Sequence, residues 1–178
     1  MSRRTSLSLL CGALVGAAVG TPLARGQAAA PAVRIGTYDS RAIAVAYVRT
    51  DMHRKAMAEA IAERDNAKAA GDEKRVRELE AWGKAHQTRL HEQGFSTGSV
   101  TDMMEKIKAE IPAVAKDAGV LLVVSKWEVM YKDPAVEYVD VTLPLVRQFS
   151  SDPQVLRMVE ELMTHDPILL DQLPPDTE

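Results

Sequence analysis

Two short segments, VRIGTYD at residues 33–39 and VLLVVS at residues 120–125, decide the fold that we predict for this chain. In the first segment apolar and polar residues alternate, which is the period of a strand with one buried face. The second is a continuous apolar run with three valines, which is typical of a buried strand. EVMYK at residues 128–132 is predicted to be its hairpin partner.

The residues between the first two strands are predicted to be helical. Residues 41–70 are rich in Ala, Met, Glu, Arg and Lys and contain no Gly or Pro, so they predict one long helix. Gly71 suits a C-terminal cap and Asp72 the next N-cap, although a helix running through Gly71 would cost only about 1 kcal/mol. Residues 73–93 predict a second helix, with a weak coiled-coil seam at spacings of three and four. The seam positions are Val76, Leu79, Gly83, His86 and Leu90.

Residues 100–118 predict a third helix, which Pro112 should kink or split because it removes a helical hydrogen bond. A short helix from Asp140 to Phe149 and a last helix beginning at residues 152–153 complete the pattern, followed by an acidic tail. The predicted fold class is therefore α+β and helix-dominated, with a small β-sheet body interrupted by a long, coiled-coil-like helical arm over residues 41–118. Three short strands are marginal alone, so we also expect self-association.

The N-terminus has the pattern of a cleavable signal peptide over residues 1–26. Arg3 and Arg4 precede an apolar run at residues 7–19, which is too short to span a membrane as a stable helix. We place cleavage after Gly26, with a cut within residues 28–30 and a retained anchor as alternatives. The arginine pair is a partial twin-arginine match, whereas Cys11 lies inside the apolar run and does not fit a lipoprotein signal. Residues 27–32 would then be a linker, and the protein is expected to be periplasmic or otherwise exported.

Removal of the signal peptide changes the composition. The whole chain has 22 basic and 25 acidic residues, and loss of Arg3, Arg4 and Arg25 would leave a formal charge of −6. Cys11 is the only cysteine, so the processed chain would have no disulfide and no cysteine metal site. The acidic balance disfavours nucleic acid and anionic membrane surfaces as partners. No second apolar stretch reaches membrane-spanning length, so we expect no integral membrane segment after cleavage.

Three segments resemble the Skp/OmpH-like family of periplasmic chaperones. RIGTYDS at residues 34–40 is similar to the opening strand of that family, and AKDAGVLLVVSKWEVMYKD at residues 115–133 is similar to its returning helix and strand pair. VDVT at residues 139–142, with the apolar residues after it, resembles its closing helix. The resemblance covers residues 33–150 and leaves residues 151–178 as an additional C-terminal helix and acidic tail.

This resemblance implies a homotrimer in which short strands of three subunits form a shared barrel and helical arms enclose unfolded outer-membrane proteins. The body residues that it places at or near the trimer core are Ile35, Tyr38, Leu121, Val123, Val129 and Tyr131.

No motif for an enzyme is found, and we predict no catalytic residue, no cofactor and no metal. His86 and His91 near Glu92 could suggest a metal, but solvated histidines on an arm are the preferred interpretation, and His53 is predicted to be a surface residue. Ser and Thr residues lack a neighbouring base in any known motif.

The candidate client-binding residues are Met52, Met57, Trp82, Met103 and Met104, because methionine adapts its shape on promiscuous binding surfaces. The alternative is that the methionines pack helix against helix and that Trp82 joins two arm helices. The leading hypothesis is an ATP-independent holdase that binds unfolded proteins in the periplasm. The second hypothesis is a non-catalytic structural or interaction protein of the cell envelope that uses the same fold to bind a folded partner.

Overall fold

A computed structural model describes residues 33–173, which form seven α-helices and three strands. The predicted signal peptide, the linker at residues 27–32 and the last five residues lie outside this part. The strands are β1 (Arg34–Tyr38), β2 (Leu122–Ser125) and β3 (Glu137–Asp140). The helices are α1 (Ser40–Val48), α2 (Asp51–Ala69), α3 (Glu73–Phe95), α4 (Thr101–Met104), α5 (Ile111–Ala118), α6 (Thr142–Phe149) and α7 (Pro153–Leu162). Short 3₁₀ turns lie between α4 and α5 at Glu105–Ile107 and after α7 at Leu170–Gln172. The helix-dominated α+β class is confirmed.

The sheet is parallel throughout, with strand order β2-β1-β3. The predicted hairpin is therefore wrong, because residues 128–132 form no strand. Residues 137–140 form β3 instead, and they pair with the free edge of β1 so that Arg34 lies opposite Glu137. The Arg34 guanidinium donates to both Glu137 carboxylate oxygens at 2.9 and 3.0 Å, which fixes that register. A turn at Asp133, whose carboxylate accepts from the Ala135 N–H at 2.8 Å, redirects the chain into β3.

The two faces of the sheet have different surroundings. Val123 and Val139 flank Gly36 on the face that packs against the buried core. A Cβ at Gly36 would lie 3.1 Å from Val120, so β1 and β2 approach closely there. The opposite face carries Ile35, Leu122 and Tyr138, and Leu122 is 54% exposed. The core thus lies on one side of the sheet only.

Helix α1 belongs to the core rather than to an arm. Ala42, Ile43 and Ala46 are fully buried, and the small alanines let neighbouring helices approach closely. The predicted single helix over residues 41–70 is wrong because Thr50 starts a new one. Its hydroxyl donates to the Tyr47 carbonyl at 2.7 Å and accepts from the His53 N–H at 3.1 Å, as an N-cap does.

The α2–α3 hairpin is the part of the predicted arm that leaves this core. Gly71 joins the two helices at φ 72°, and the Asp72 side chain caps α3 by accepting from the Arg75 N–H at 3.0 Å. The predicted seam positions on α3 are all half-buried. Arg75 also forms an exposed ion pair with Glu63 across the hairpin at 2.6 Å. The hairpin spans residues 51–95, whereas the predicted arm covered residues 41–118.

The helix expected over residues 100–118 is split, as Pro112 predicted. Pro112 lies in the first turn of α5, where its missing N–H costs no hydrogen bond. Helix α4 places Val100 and Met103 in the core, and Gly119 ends α5 at φ 64°. The predicted C-terminal helix is confirmed as α7, whose Val155 and Val159 are also buried in the core.

Candidate functional site

An open groove of about 750 Å³, here called the hairpin groove, lies at the base of the hairpin. Helices α1, α2, α3 and α7 form its walls. Apolar side chains dominate the lining: Val45, Val48, Met57, Trp82, Leu90, Phe95, Met158 and Leu162. Its volume is in the range that ligand-binding clefts occupy, and its lining is typical of them.

Gly83 keeps part of this groove open. No atom lies within 4 Å of a Cβ built on Gly83, so close helix packing does not explain a glycine here. A second cavity of about 370 Å³ further along the hairpin shares Met57, Trp82, Gly83 and Gln87 with the first. A glycine inside a helix costs about 1 kcal/mol relative to alanine, and here it leaves room along the hairpin.

A series of aromatic rings runs from the groove into the core. Trp82 and His86 stack with ring centroids 5.1 Å apart and planes inclined by 7°. His86 stacks on His53 at 5.7 Å, and His53 meets the edge of Tyr47 at 5.2 Å. Tyr47 in turn meets Phe149 edge-on at 6.1 Å. The rings therefore connect α3, α2, α1 and α6.

The prediction that His53 is a surface residue is wrong, since it is only 8% exposed. His86 is half-buried, and its Nε2 atom has no hydrogen-bond partner among the residues that the structure describes. Burial lowers the pKa of His53, and the neighbouring His86 lowers it further. Burial also lowers the pKa of His86, with Arg89 adding to the effect and Asp102 opposing it. Both imidazoles are thus kept neutral over a wider pH range than a solvated histidine.

Of the five predicted client-binding residues, the structure brings Met57 and Trp82 together in the hairpin groove. Met52 is 52% exposed but borders a different, more polar cavity. Met103 is 1% exposed and lies in the core, and Met104 is half-buried against that core, which agrees with the alternative that the methionines pack helix against helix. The sequence pattern could not separate these cases because it does not show which helix face meets the sheet.

Sequence reasoning missed the contributions of Phe95 and of helix α7. Phe95 is 51% exposed at the end of α3, where it borders the groove. Met158 and Leu162 supply the wall opposite the hairpin. The apolar face of the last helix, on which Leu162 lies, is the signal in the sequence that could have found this wall.

The predicted oligomer-core residues divide into two groups. Ile35, Tyr38, Val123 and Val129 are half-buried within the single chain. Leu121 and Tyr131 are 81% and 73% exposed, and their neighbours Leu122 and Met130 are 54% and 95% exposed. We call these four strongly exposed side chains the exposed apolar set. Contiguous apolar patches often mark interaction surfaces, and these four side chains come from two pairs of adjacent residues, 121–122 and 130–131.

A buried ionic cluster is linked to the groove through His165. Asp39 and Arg41 are almost fully buried and form an ion pair at 2.8 Å, and Lys126 contacts the same carboxylate at 2.8 Å. Burial alone would raise the pKa of Asp39, but hydrogen bonds from Arg41 and Lys126 hold it below its ordinary value. Arg41 also donates to the His165 carbonyl at 2.9 Å, which ties the end of α7 to the body.

Comparisons with protein-family models, with characterised proteins and with solved structures gave no match. Within residues 33–173, no helix is long and apolar enough to cross a membrane. The function is therefore inferred from the residues of the groove and from the exposed apolar set.

Proposed function

We propose that this protein is an exported holdase-type chaperone that holds apolar segments of unfolded proteins in the hairpin groove without ATP. The observation that carries this proposal is the open apolar groove of about 750 Å³. Unfolded chains expose short apolar segments, and a groove of this size accommodates several apolar side chains. Export is proposed from the signal-peptide pattern at residues 1–26.

The side chains around the groove suit varied clients. Met57 and Met158 are flexible and polarizable, so they can adjust to side chains of different shape. Trp82 and Phe95 are 45% and 51% exposed and offer broad apolar faces. Such a surface favours breadth of binding over specificity for one sequence.

We further propose that the body self-associates, in line with the resemblance to Skp/OmpH-like chaperones. The exposed apolar set supports this, because four large apolar side chains would otherwise remain in water. A homotrimer would cover them and hold three grooves in one assembly. Avidity from several grooves would strengthen the capture of a long unfolded chain.

The second candidate is a non-catalytic envelope protein that binds one folded partner. The same exposed apolar set favours it, since a folded partner could cover Leu121 and Tyr131 as well as another copy could. Under this alternative the groove would have no role in binding unfolded chains. Measurement of the molecular mass together with client binding separates the two.

The direct test is suppression of aggregation of a denatured client. Gly83→Leu places a side chain in the groove and removes no contact. Ala85→Leu adds the same side chain to an exposed position of the same helix and serves as the control. We expect wild type and Ala85→Leu to suppress aggregation and Gly83→Leu to be impaired. The proposal is wrong if the wild-type protein leaves aggregation unchanged.

A further inference from the structure

The base of the α2–α3 hairpin is held by two neutral imidazoles. His53 lies in the first turn of α2 and His86 in the second half of α3, and their rings stack at 5.7 Å with planes inclined by 25°. Both histidines line the hairpin groove. This contact therefore couples the separation of the two helices to the shape of the groove.

Protonation would act against this contact. Two imidazolium rings at this distance repel each other, most strongly where little water screens them. His53 is 8% exposed, and the Nε2 atom of His86 is buried without an acceptor among the described residues. A proton on Nε2 would therefore be a buried and unsatisfied donor.

The charged groups around the pair are of both signs. The titratable and charged groups that line the groove or act on the pair are Tyr47 and Arg49 from the end of α1, Arg89 and His91 from α3, Asp102 from α4, Glu161 from α7, and His165 beyond it. Arg89 opposes a charge on His86, whereas Asp102 favours it. Trp82, stacked on the outer face of His86, would attract an imidazolium and draw it away from His53.

We propose that the His53–His86 stack is a proton-sensitive latch that loosens the base of the hairpin, and with it the hairpin groove, in mildly acidic solution. This inference rests on the proposed function of the groove. Apolar ligands would be held near neutral pH and released as the pH falls. The lowered pKa of each histidine agrees with the geometry.

The test combines a neutral dye with NMR. Binding of Nile red is measured at pH 8 and at pH 5 in wild type, in the double variant His53→Phe/His86→Phe and in His165→Gln, and each protein is compared with itself at the two pH values. The double variant keeps two stacked rings without protons to gain, and His165 is an exposed histidine that lines the same groove outside the stack. We expect several-fold weaker binding at pH 5 than at pH 8 in wild type and in His165→Gln, whatever that substitution does to binding at pH 8, and no such loss in the double variant. An equal loss in the double variant, or no loss in wild type, overturns the latch.

The imidazole resonances of the wild-type protein provide a readout that needs no ligand. We expect His53 and His86 to titrate below pH 6.5, and amide protection at the hairpin base to fall over the same range while that of β1 persists. Titration at or above pH 6.5, or unchanged protection at the base, overturns the latch. If Nile red does not bind at pH 8 although these NMR changes occur, the groove function fails and the latch stands.

Discussion

His53 of α2 stacks on His86 of α3 with ring centroids 5.7 Å apart, although 32 positions separate them in the chain. Nothing in the sequence indicates a contact between them, since His53 lies between charged and helix-forming neighbours and was expected at the surface. The stack exists because Thr50 ends one helix and starts another, which turns His53 inward.

The histidine pair should make stability depend on pH. The pKa of each histidine is lower in the folded state than its ordinary value of about 6.5. When the pH falls below about 6.5, the unfolded chain therefore binds more protons than the folded protein does. The free energy of unfolding should be highest above that value and should fall as the pH drops towards the lowered folded-state pKa. Urea denaturation at pH 7.5 and 5.5 measures this. His53→Phe/His86→Phe should reduce the difference, and an unchanged difference would count against the pair.

Replacing Asp39 should strongly destabilise the fold. Asp39→Ala leaves Arg41 buried without its partner, and removing one member of a buried ion pair costs about 3–5 kcal/mol. Asp51→Ala is the control, because Asp51 pairs with Arg54 at the surface, where ion pairs contribute about 0–1 kcal/mol. Urea denaturation of both variants gives the comparison. Similar losses in the two variants would contradict the role assigned to the cluster.

Filling the groove at Gly83 should separate binding from stability. Gly83→Leu gains helix propensity of up to about 1 kcal/mol and meets no atom within 4 Å, so the unfolding midpoint should stay or rise. Binding of an apolar dye or an unfolded client should fall, because the new side chain occupies the groove. Titration calorimetry and urea denaturation on one preparation test both. Loss of stability in Gly83→Leu but not in Ala85→Leu would show that the space at Gly83 is not open.

Polar substitutions in the exposed apolar set should weaken self-association. Leu121→Ser with Tyr131→Ser removes two side chains that are 81% and 73% exposed, so the single chain loses little packing. Light scattering at micromolar concentration should give a trimer for the wild-type protein and a smaller species for the variant. Leu169→Ser, at a site that is 59% exposed, is the control and should leave the trimer intact. A wild-type monomer would refute the proposed assembly.

Local sequence patterns located most helices and two of the three strands. Gly71 and Pro112 marked real helix boundaries independently of tertiary contacts, because glycine readily adopts a positive φ and proline lacks the N–H that a helix interior needs. Which strand pairs with which is not a local property of the sequence. The strand expected at residues 128–132 therefore led to a predicted hairpin that does not form. The third strand instead pairs with β1 through contacts more than 100 residues apart, such as Arg34 with Glu137.

The candidate site was only partly predictable. Met57 and Trp82 were expected to contact clients, and both line the hairpin groove. Met103 was assigned with them because of its residue type, yet it lies in the core at 1% exposure. Phe95 and Met158 were missed because the groove is formed by α3 and α7, which meet only in the folded chain.

Cross-linking to an unfolded client tests the central claim most directly. A photoreactive phenylalanine derivative is placed at Phe95, which borders the groove, or at Met52, which lies outside it. The two side chains are 51% and 52% exposed, so accessibility alone cannot distinguish them. We predict client adducts from position 95 that Gly83→Leu reduces, with few from position 52. Equal adducts from both positions, or none from position 95, would contradict the assignment of the hairpin groove as the client-binding site.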